Sequence, residues 1–247
     1  MSRRVLVDIN PFIVSTCSGV TSVANLERPK KVASRAPNRR GEGDLLREQL
    51  LEAASRLLAA PVIEEPLSLR AVAREVGVVP QSVYLHFADR TQLVRAVIER
   101  RFSELTRAMK AAEDSVSSAA AKLRARCLEY CRFGLETPGH YALLFETHAT
   151  SQMGTGYQGS PGAETFDHFV KALQRCMDEG VAVRQDAFKA ATCLWMGLHG
   201  IVSLRLSKPG FPWPPVEDLV DRLLVGLVGL RLPPARKVRH RSSLSDK

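Results

Sequence analysis

Residues 68–98 read SLRAVAREVGVVPQSVYLHFADRTQLVRAVI, and the spacing of their apolar residues decides the fold of this part of the chain. A short helix over 69–76 is predicted, with Ser68 as its N-cap. Gly77 is suited to end that helix, because glycine adopts the left-handed backbone without a steric penalty. The helix would bury a row of apolar side chains: Leu69, Val72, Ala73 and Val76.

A second short helix is predicted from Pro80 to Phe87. Proline is tolerated in the first helical turn, where its missing N–H does no harm. Val83 and Phe87 are four residues apart and would hold this helix against the core. The remaining side chains would point outward: Gln81, Ser82, Tyr84, Leu85 and His86. Two short helices joined at a glycine turn describe a helix-turn-helix, whose second helix enters the DNA major groove, ~12 Å wide.

The flanking segments also have helical periodicity. A leading helix is predicted over 44–59, and a fourth helix over 91–109 is capped by Asp89, with Gln92 placed to complete a capping box. Two more helical stretches are broken at Thr137. Three further helices are then predicted, at about 163–178, 185–206 and 216–230. The predicted fold class is therefore all-α, with a three-helix DNA-binding part joined through the fourth helix to a larger helical domain.

Residues 44–110 resemble the DNA-binding domain of TetR-type regulators. The resemblance lies in the leading helix, in Tyr84 and Phe87, and in the capped start ADRTQL at 88–93. It implies a dimer whose two recognition helices enter successive major grooves of a near-palindromic operator. Base-edge contacts are expected from Gln81 and Ser82.

Contacts with the DNA backbone are expected from three further residues: Ser68, Arg70 and Tyr84. Tyr84 corresponds to the family tyrosine that donates to a phosphate, although half-burial against the first helix is the alternative. His86 either touches phosphate or packs locally. Leu85 either contacts a thymine methyl or faces solvent.

TPGHYALLF at 137–145 and LWMGLHGIVSLRL at 194–206 resemble one C-terminal ligand-domain subgroup of the family, marked by a Trp, His, Gly signature. The resemblance implies that the last two helices pair with their symmetry mates, through Leu194, Gly197, Ile201, Leu204, Leu219, Leu223 and Leu227. It also suggests residues that line a site for an aromatic or amphipathic effector: Tyr141, Leu144, Phe145, Phe169, Cys176, Trp195 and His199. The alternative is that these side chains are plain core.

Charge separates the tails from the rest of the chain. The net charge is +5 over 1–43 and +4 over 233–247, whereas 44–110 and 111–232 are nearly neutral. Both tails are predicted to be disordered, with a DNA-binding domain at 44–110 and a ligand-binding and dimerisation domain at 111–232. The amino-terminal extension either reaches DNA phosphates as a basic arm or is an idle solvated tail, or an upstream start that the cell does not use.

Several function classes are disfavoured. The five cysteines lack CxxC spacing, and nucleophile-elbow, phosphate-loop and zinc-protease motifs are lacking, so no catalytic residue, metal or cofactor is predicted. No signal peptide and no membrane-spanning apolar run is expected, which favours a cytoplasmic protein whose partners are operator DNA, a small effector and a second copy. The alternatives are an enzyme, a regulator of this fold that senses no small molecule, and an activator instead of a repressor.

Overall fold

The computed structural model describes residues 43–59, 67–146 and 159–232, and secondary structure in these ranges is helical. The all-α prediction is confirmed. The predictions for 1–42 and 233–247 lie outside the described residues. The helices are α1 (Gly43–Ala59), α2 (Leu69–Val76), α3 (Pro80–Tyr84), α4 (Arg90–Asp114), α5 (Ala119–Glu136), α6 (Pro138–Phe145), α7 (Ala163–Asp178), α8 (Ala187–Ser207) and α9 (Val216–Val228).

The ends of α2 form as the sequence predicts. Ser68 Oγ accepts a hydrogen bond of 3.1 Å from the Ala71 backbone N–H, which satisfies one of the free donors of the first turn. Gly77 has a φ of 76°, in the left-handed region, and its N–H bonds back to the carbonyl groups of Ala73 and Arg74. The angle between α2 and α3 is therefore set by backbone bonds that only glycine makes without strain.

The cap of α4 differs in one detail from the predicted capping box. Asp89 Oδ1 accepts from the Gln92 N–H at 2.8 Å, as expected of an N-cap. Gln92 Oε1, however, accepts at 2.6 Å from the N–H of Ala88, one residue before the cap. The reciprocal bond thus stabilises the turn that leads into α4.

The recognition helix α3 is shorter than predicted. The α-helix ends at Tyr84, and the chain continues as a turn in which His86 and Phe87 both donate to the Val83 carbonyl at 3.0 Å. Tightening of this kind is common at helix ends. The predicted anchors hold, since Val83 is 0% and Phe87 1% exposed.

The long helix α4 extends beyond its predicted end at 109, so the predicted domain boundary at 110–111 falls inside a continuous helix. Its apolar row is buried as expected. Arg101, 7% exposed, bonds to α1 through Glu52 Oε2 at 2.8 Å and Ser55 Oγ at 2.7 Å. Because both nitrogen donors are charge-assisted, this link holds α1 firmly against α4.

The predicted break at Thr137 is confirmed. The Thr137 N–H bonds to the Phe133 carbonyl and so closes α5, and Pro138 then occupies the first turn of α6. The carboxy-terminal helices pack around α5, which contacts α4, α7, α8 and α9. Arg124 on α5 pairs with Asp221 on α9, with Nε–Oδ1 at 2.6 Å.

The expectation of no apolar run of membrane-spanning length does not hold for α8. By length and composition α8 is sufficient to cross a membrane, and 33% of its most apolar window is buried. A core or interface helix of a water-soluble protein passes the same test. Low burial of so apolar a helix points to a surface that another protein chain covers.

Candidate nucleic-acid interface and ligand site

The predicted DNA-contacting residues are accessible at the starts of α2 and along α3. Exposed side chains are Ser68, Arg70, Gln81 and Tyr84, and half-buried ones are Ser82 and His86. Although Ser68 Oγ accepts the capping bond, its own proton remains able to donate to a phosphate oxygen. Tyr84 is 48% exposed, which fits both the predicted phosphate contact and the alternative of half-burial.

Val79 is an apolar component of this surface that was not predicted, whereas an outward-facing Leu85 was. Val79 at the N-cap of α3 is 56% exposed and Leu85 at its end is 78% exposed. Large apolar side chains in such positions suit contact with thymine methyl groups. The sequence signal was the pair Val78-Val79 in a turn, of which Val78 packs against the core and Val79 is left exposed. The Arg47 guanidinium lies over the Phe87 ring, 5.4 Å from its centroid, and ties α1 to the end of this element.

Ring contacts join six side chains of the larger domain, here named the aromatic cluster, and extend from it to Phe102 on α4 and to Phe166 and Phe188. Tyr141 contacts Tyr130 at 6.1 Å, Phe145 at 4.9 Å and His199 at 5.5 Å between ring centroids. Phe169 joins through Tyr130 at 6.2 Å. The aromatic cluster consists of Tyr130, Tyr141, Phe145, Phe169, Trp195 and His199.

Hydrogen bonds run through the aromatic cluster. Trp195 Nε1 donates to the Tyr130 hydroxyl at 3.2 Å, the two tyrosine hydroxyls are 3.3 Å apart, and the Tyr141 hydroxyl lies 2.6 Å from His199 Nδ1. Burial raises the pKa of Tyr130, and burial also raises the pKa of Tyr141 to about 12. Both hydroxyl groups therefore keep their protons and can donate.

The same chain of bonds continues to the surface of the protein. His199 Nε2 lies 3.4 Å from Ser203 Oγ, which donates to Glu146 Oε1 at 2.6 Å. If Tyr141 donates to Nδ1, the neutral ring carries its proton on Nε2, and each member between Trp195, which only donates, and Glu146, which only accepts, then donates one bond and accepts one. Burial lowers the pKa of His199, which favours this neutral form.

The structure brings together five of the seven predicted effector residues: Tyr141, Phe145, Phe169, Trp195 and His199. Leu144 and Cys176 are buried, but the ring contacts and hydrogen bonds in the described part of the chain do not connect them to the aromatic cluster. Tyr130 was missed. Its position among the buried cysteines of α5 was the available signal, because a tyrosine hydroxyl on a buried face needs a polar partner.

The cysteines behave mostly as small core residues. Cys127, Cys131 and Cys176 are buried, and burial raises the pKa of Cys131 to about 12 and of Cys176 to about 11. Protonated thiols of this kind are poor nucleophiles and metal ligands. Cys193, by contrast, is exposed on α8.

Helix α6 lies between the aromatic cluster and α1. A Cβ added at Gly139 would approach the Ala59 Cβ to 2.9 Å and the Ala59 carbonyl group more closely still. The next residue, His140, has a pKa lowered by burial and by the nearby Arg101 charge, and Tyr141 follows in the aromatic cluster. Gly139 therefore lies against α1, His140 is within electrostatic reach of Arg101, and Tyr141 belongs to the candidate ligand site.

The predicted dimer contacts need a correction. Leu194 is 0% and Ile201 9% exposed, because this side of α8 packs into its own protomer and is not available to a partner. Gly197 faces Leu223 of the same chain, since a Cβ there would lie 2.8 Å from that side chain. Leu219 and Leu223 are half-buried, whereas Leu204 and Leu227 are exposed, as are Met196, Phe211 and Val225.

The helix-turn-helix and the attached helical domain with its buried aromatic cluster together define a class of transcription regulators. In this class the DNA-binding domain and the second helical domain lie in the same polypeptide. Residues 50–97 match the family model described as bacterial regulatory proteins, tetR family, and residues 123–227 match the tetracyclin repressor-like C-terminal domain. The two matches together cover more than half of the chain. The protein belongs to the TetR family of transcriptional regulators, for which DNA binding, dimerisation, ligand binding and repression are typical.

Solved structures have the same architecture. A protein of unknown function from Rhodococcus sp. RHA1 is 27% identical, with a TM-score of 0.63 and coverage of 78% of this chain and 99% of that one. A TetR family regulator from Marinobacter aquaeolei VT8 is 18% identical, with a TM-score of 0.60 and coverage of 75% and 95%. RolR in complex with resorcinol is 18% identical, with a TM-score of 0.55 and coverage of 78% and 92%. At 18% identity, the last two structures are evidence for a shared fold and not for a shared role.

Proposed function

We propose that the protein is a dimeric repressor that binds a near-palindromic operator and is released when a small aromatic or amphipathic molecule enters the aromatic cluster. The observation that carries this proposal is that α6 contacts both the aromatic cluster and α1. It supplies Tyr141 and Phe145 to the cluster, and through Gly139 it lies against Ala59 of α1. A ligand that moves α6 necessarily disturbs the DNA-binding helices.

Roles on DNA follow from position and exposure. Gln81 and Ser82 at the start of α3 contact base edges, with glutamine suited to adenine. Ser68, Arg70 and Tyr84 hold phosphates, and His86 adds a contact at the end of α3. In a symmetric dimer the two copies of α3 would read half-sites about 34 Å apart, one turn of the double helix.

The effector class follows from the side chains that would surround it. The rings of Tyr141, Phe145 and Trp195 favour a flat apolar body, and the hydrogen-bonded hydroxyl groups favour a polar substituent. RolR, which has a similar fold, has been crystallised with resorcinol, an aromatic molecule. This supports an aromatic effector without identifying it.

Dimerisation is proposed through the exposed apolar side chains of α8 and α9, chiefly Met196, Leu204, Val225 and Leu227. Each of them is at least 42% exposed in the isolated protomer. Gly200 supports close helix approach, because an added Cβ there meets nothing within 4 Å. A two-fold pairing would bury these side chains on both protomers at once.

Switching is proposed to work as a shift between two arrangements of the protomer. In addition to the α6–α1 contact, the Phe145 ring meets Phe102 of α4 edge-on at 5.6 Å. Since α4 runs unbroken from the DNA-binding domain (44–110) into the ligand domain (111–232), an effector that displaces Phe145 would tilt it. The effector must then bind the released state more tightly than the operator-bound state. As a DNA-binding regulator the protein would act in the cytoplasm.

The test is a two-stage titration of the full chain. A thermal-shift screen of small aromatic compounds identifies binders, because a ligand of the native state raises the melting temperature. Each binder is then added to the protein on its operator fragment. Release from DNA at concentrations near the binding constant supports the proposal, and unchanged operator affinity at saturation contradicts it.

A further inference from the structure

A buried guanidinium beside the aromatic cluster has a donor to spare. Arg126 on α5 is 2% exposed, and its Nε and Nη2 donate to the two Glu113 carboxylate oxygens at 2.6 and 2.9 Å. Its Nη1 is buried and has no hydrogen-bond partner within 43–59, 67–146 and 159–232. A buried unsatisfied donor is unfavourable, so a structure that retains one calls for an explanation.

The position of this donor connects it to the candidate ligand site. The Arg126 guanidinium carbon lies 5.4 Å from the centroid of the Phe169 ring, which itself contacts Tyr130 at 6.2 Å. Arg126 and Tyr130 are also one helical turn apart on the buried side of α5. The spare donor therefore borders the aromatic cluster through a shared ring.

Charge balance indicates which group would accept this hydrogen bond. Glu113 already neutralises the guanidinium, and an added carboxylate would leave one buried negative charge without a counter-ion, which is strongly unfavourable. A neutral oxygen, such as a carbonyl or hydroxyl oxygen, satisfies Nη1 without upsetting that balance.

We propose that the effector is a neutral aromatic molecule whose carbonyl or hydroxyl oxygen accepts a hydrogen bond from Arg126 Nη1. This inference rests on the proposed function, since it assigns the effector class of the same aromatic cluster. It also gives the effector a second connection to α4, because Glu113, the partner of Arg126, lies in the last turn of that helix. Arg126 thus selects the ligand and carries its presence toward the DNA-binding domain.

The experiment compares three probes of similar size by isothermal titration into the full chain: acetophenone, cumene and benzoate. Cumene replaces the carbonyl oxygen of acetophenone by a methyl group, and benzoate adds a negative charge. Because a hydrogen bond to a charged group is worth about 1.5–3 kcal/mol, acetophenone is expected to bind at least ~10-fold more tightly than cumene and benzoate.

Arg126→Lys is the decisive variant, since lysine keeps the positive charge opposite Glu113 but lacks the rigid guanidinium plane that places a separate N–H at the position of Nη1. It should reduce the preference for acetophenone over cumene to about twofold or less. The control is Arg124→Lys, two residues before Arg126, which alters the ion pair with Asp221. It should leave the preference for acetophenone unchanged.

The two proposals fail in different ways. Equal binding of acetophenone and cumene, with both weakened by Phe145→Ala, would retain the aromatic cluster as the ligand site. It would overturn the claim that the effector needs an oxygen that accepts a hydrogen bond from Arg126. Tightest binding by benzoate would overturn the requirement for a neutral ligand, and an intact preference in Arg126→Lys would overturn the role of Nη1. If none of the three probes binds, the effector site and the inference fall together. Even if Arg126→Lys does not fold, the comparison of the three probes on the unaltered chain tests whether the effector must be neutral and must carry an acceptor oxygen.

Discussion

Gly139, at the start of α6, lies directly against Ala59, the last residue of α1. An added Cβ at Gly139 would approach the Ala59 Cβ to 2.9 Å and its carbonyl group more closely. Backbone at both sides of this contact leaves no flexible side chain to give way. The ligand domain is therefore joined to the DNA-binding helices at a point where even a methyl group changes the spacing.

Gly139→Ala is expected to push α6 from α1. We predict a loss of about 1–3 kcal/mol in the free energy of unfolding, the usual range for overpacking, together with weaker operator binding. Urea unfolding and fluorescence anisotropy on operator DNA measure the two effects.

Gly210→Ala is the matched control for Gly139→Ala, because an added Cβ at Gly210 meets nothing within 4 Å. It should change neither quantity beyond about 0.5 kcal/mol. Unchanged operator binding and stability in Gly139→Ala would contradict the tight α1–α6 contact.

The pH dependence of stability should report His199. Burial lowers its pKa below the ordinary value of 6.5, so the unfolded chain binds the proton more tightly than the folded chain. The free energy of unfolding is therefore expected to fall as the pH drops from above 6.5 through the lowered pKa, and His199→Gln should remove part of that fall. Urea unfolding between pH 8 and pH 5, values chosen to be about 1.5 units on either side of 6.5, gives the slopes.

His140 provides the comparison, since its pKa is also lowered by burial and by the Arg101 charge. The His140→Gln slope should likewise be reduced, and the double variant should have the flattest profile of the set. A steeper loss of stability at low pH in His199→Gln than in the unaltered chain would refute a neutral histidine in the hydrogen-bonded chain.

Gln81→Ala tests direct base readout by α3. If Gln81 contacts a base edge, its removal should weaken discrimination at one position of the operator by roughly 1–3 kcal/mol and leave affinity for random DNA unchanged. Competition binding with operators altered at single positions measures this. Equal weakening on specific and random DNA would instead make Gln81 a phosphate contact.

The dimer is expected to depend on the exposed face of α8. Met196, 63% exposed, and Leu204, 50% exposed, should be buried against the partner, so Met196→Glu with Leu204→Glu should shift the protein toward monomers. Sedimentation equilibrium gives the mass. Leu45→Glu, at a residue 54% exposed on α1, introduces the same charge outside this face and should leave the mass unchanged. A dimer of unaltered stability in the double variant would place the interface elsewhere.

The elements that the sequence predicted well are those with local causes. Ser68, Gly77 and Asp89 stand where caps are required, and the bonds they make extend over three or four residues. The end of α3 was predicted three residues too late. The spacing of Val83 and Phe87 fits both a regular α-helical last turn and a tightened one. The burial of Phe87 in the tertiary structure decides between these two geometries.

The faces of the carboxy-terminal helices were harder to predict. Leu194 and Ile201 are apolar, as are Met196 and Leu204, so α8 has apolar residues on more than one side and its periodicity does not indicate which side meets the protomer core. The aromatic cluster was predicted in part because aromatic residues mark it. Tyr130 and Arg126 were missed, since their roles depend on contacts across helices that sequence spacing does not encode.

On the proposed function, exposed residues of α2 and α3 in both protomers of the dimer read the operator. An effector bound in the aromatic cluster then releases the protein from that operator. The most direct measurement is genome-wide capture of DNA by the purified full chain, followed by footprinting with and without a binder from the thermal-shift screen. We predict enrichment of an inverted repeat whose half-sites are about one helical turn apart, with protection lost when the binder is added. Enrichment without any repeated half-site, or a footprint that persists at saturating binder, would contradict the account.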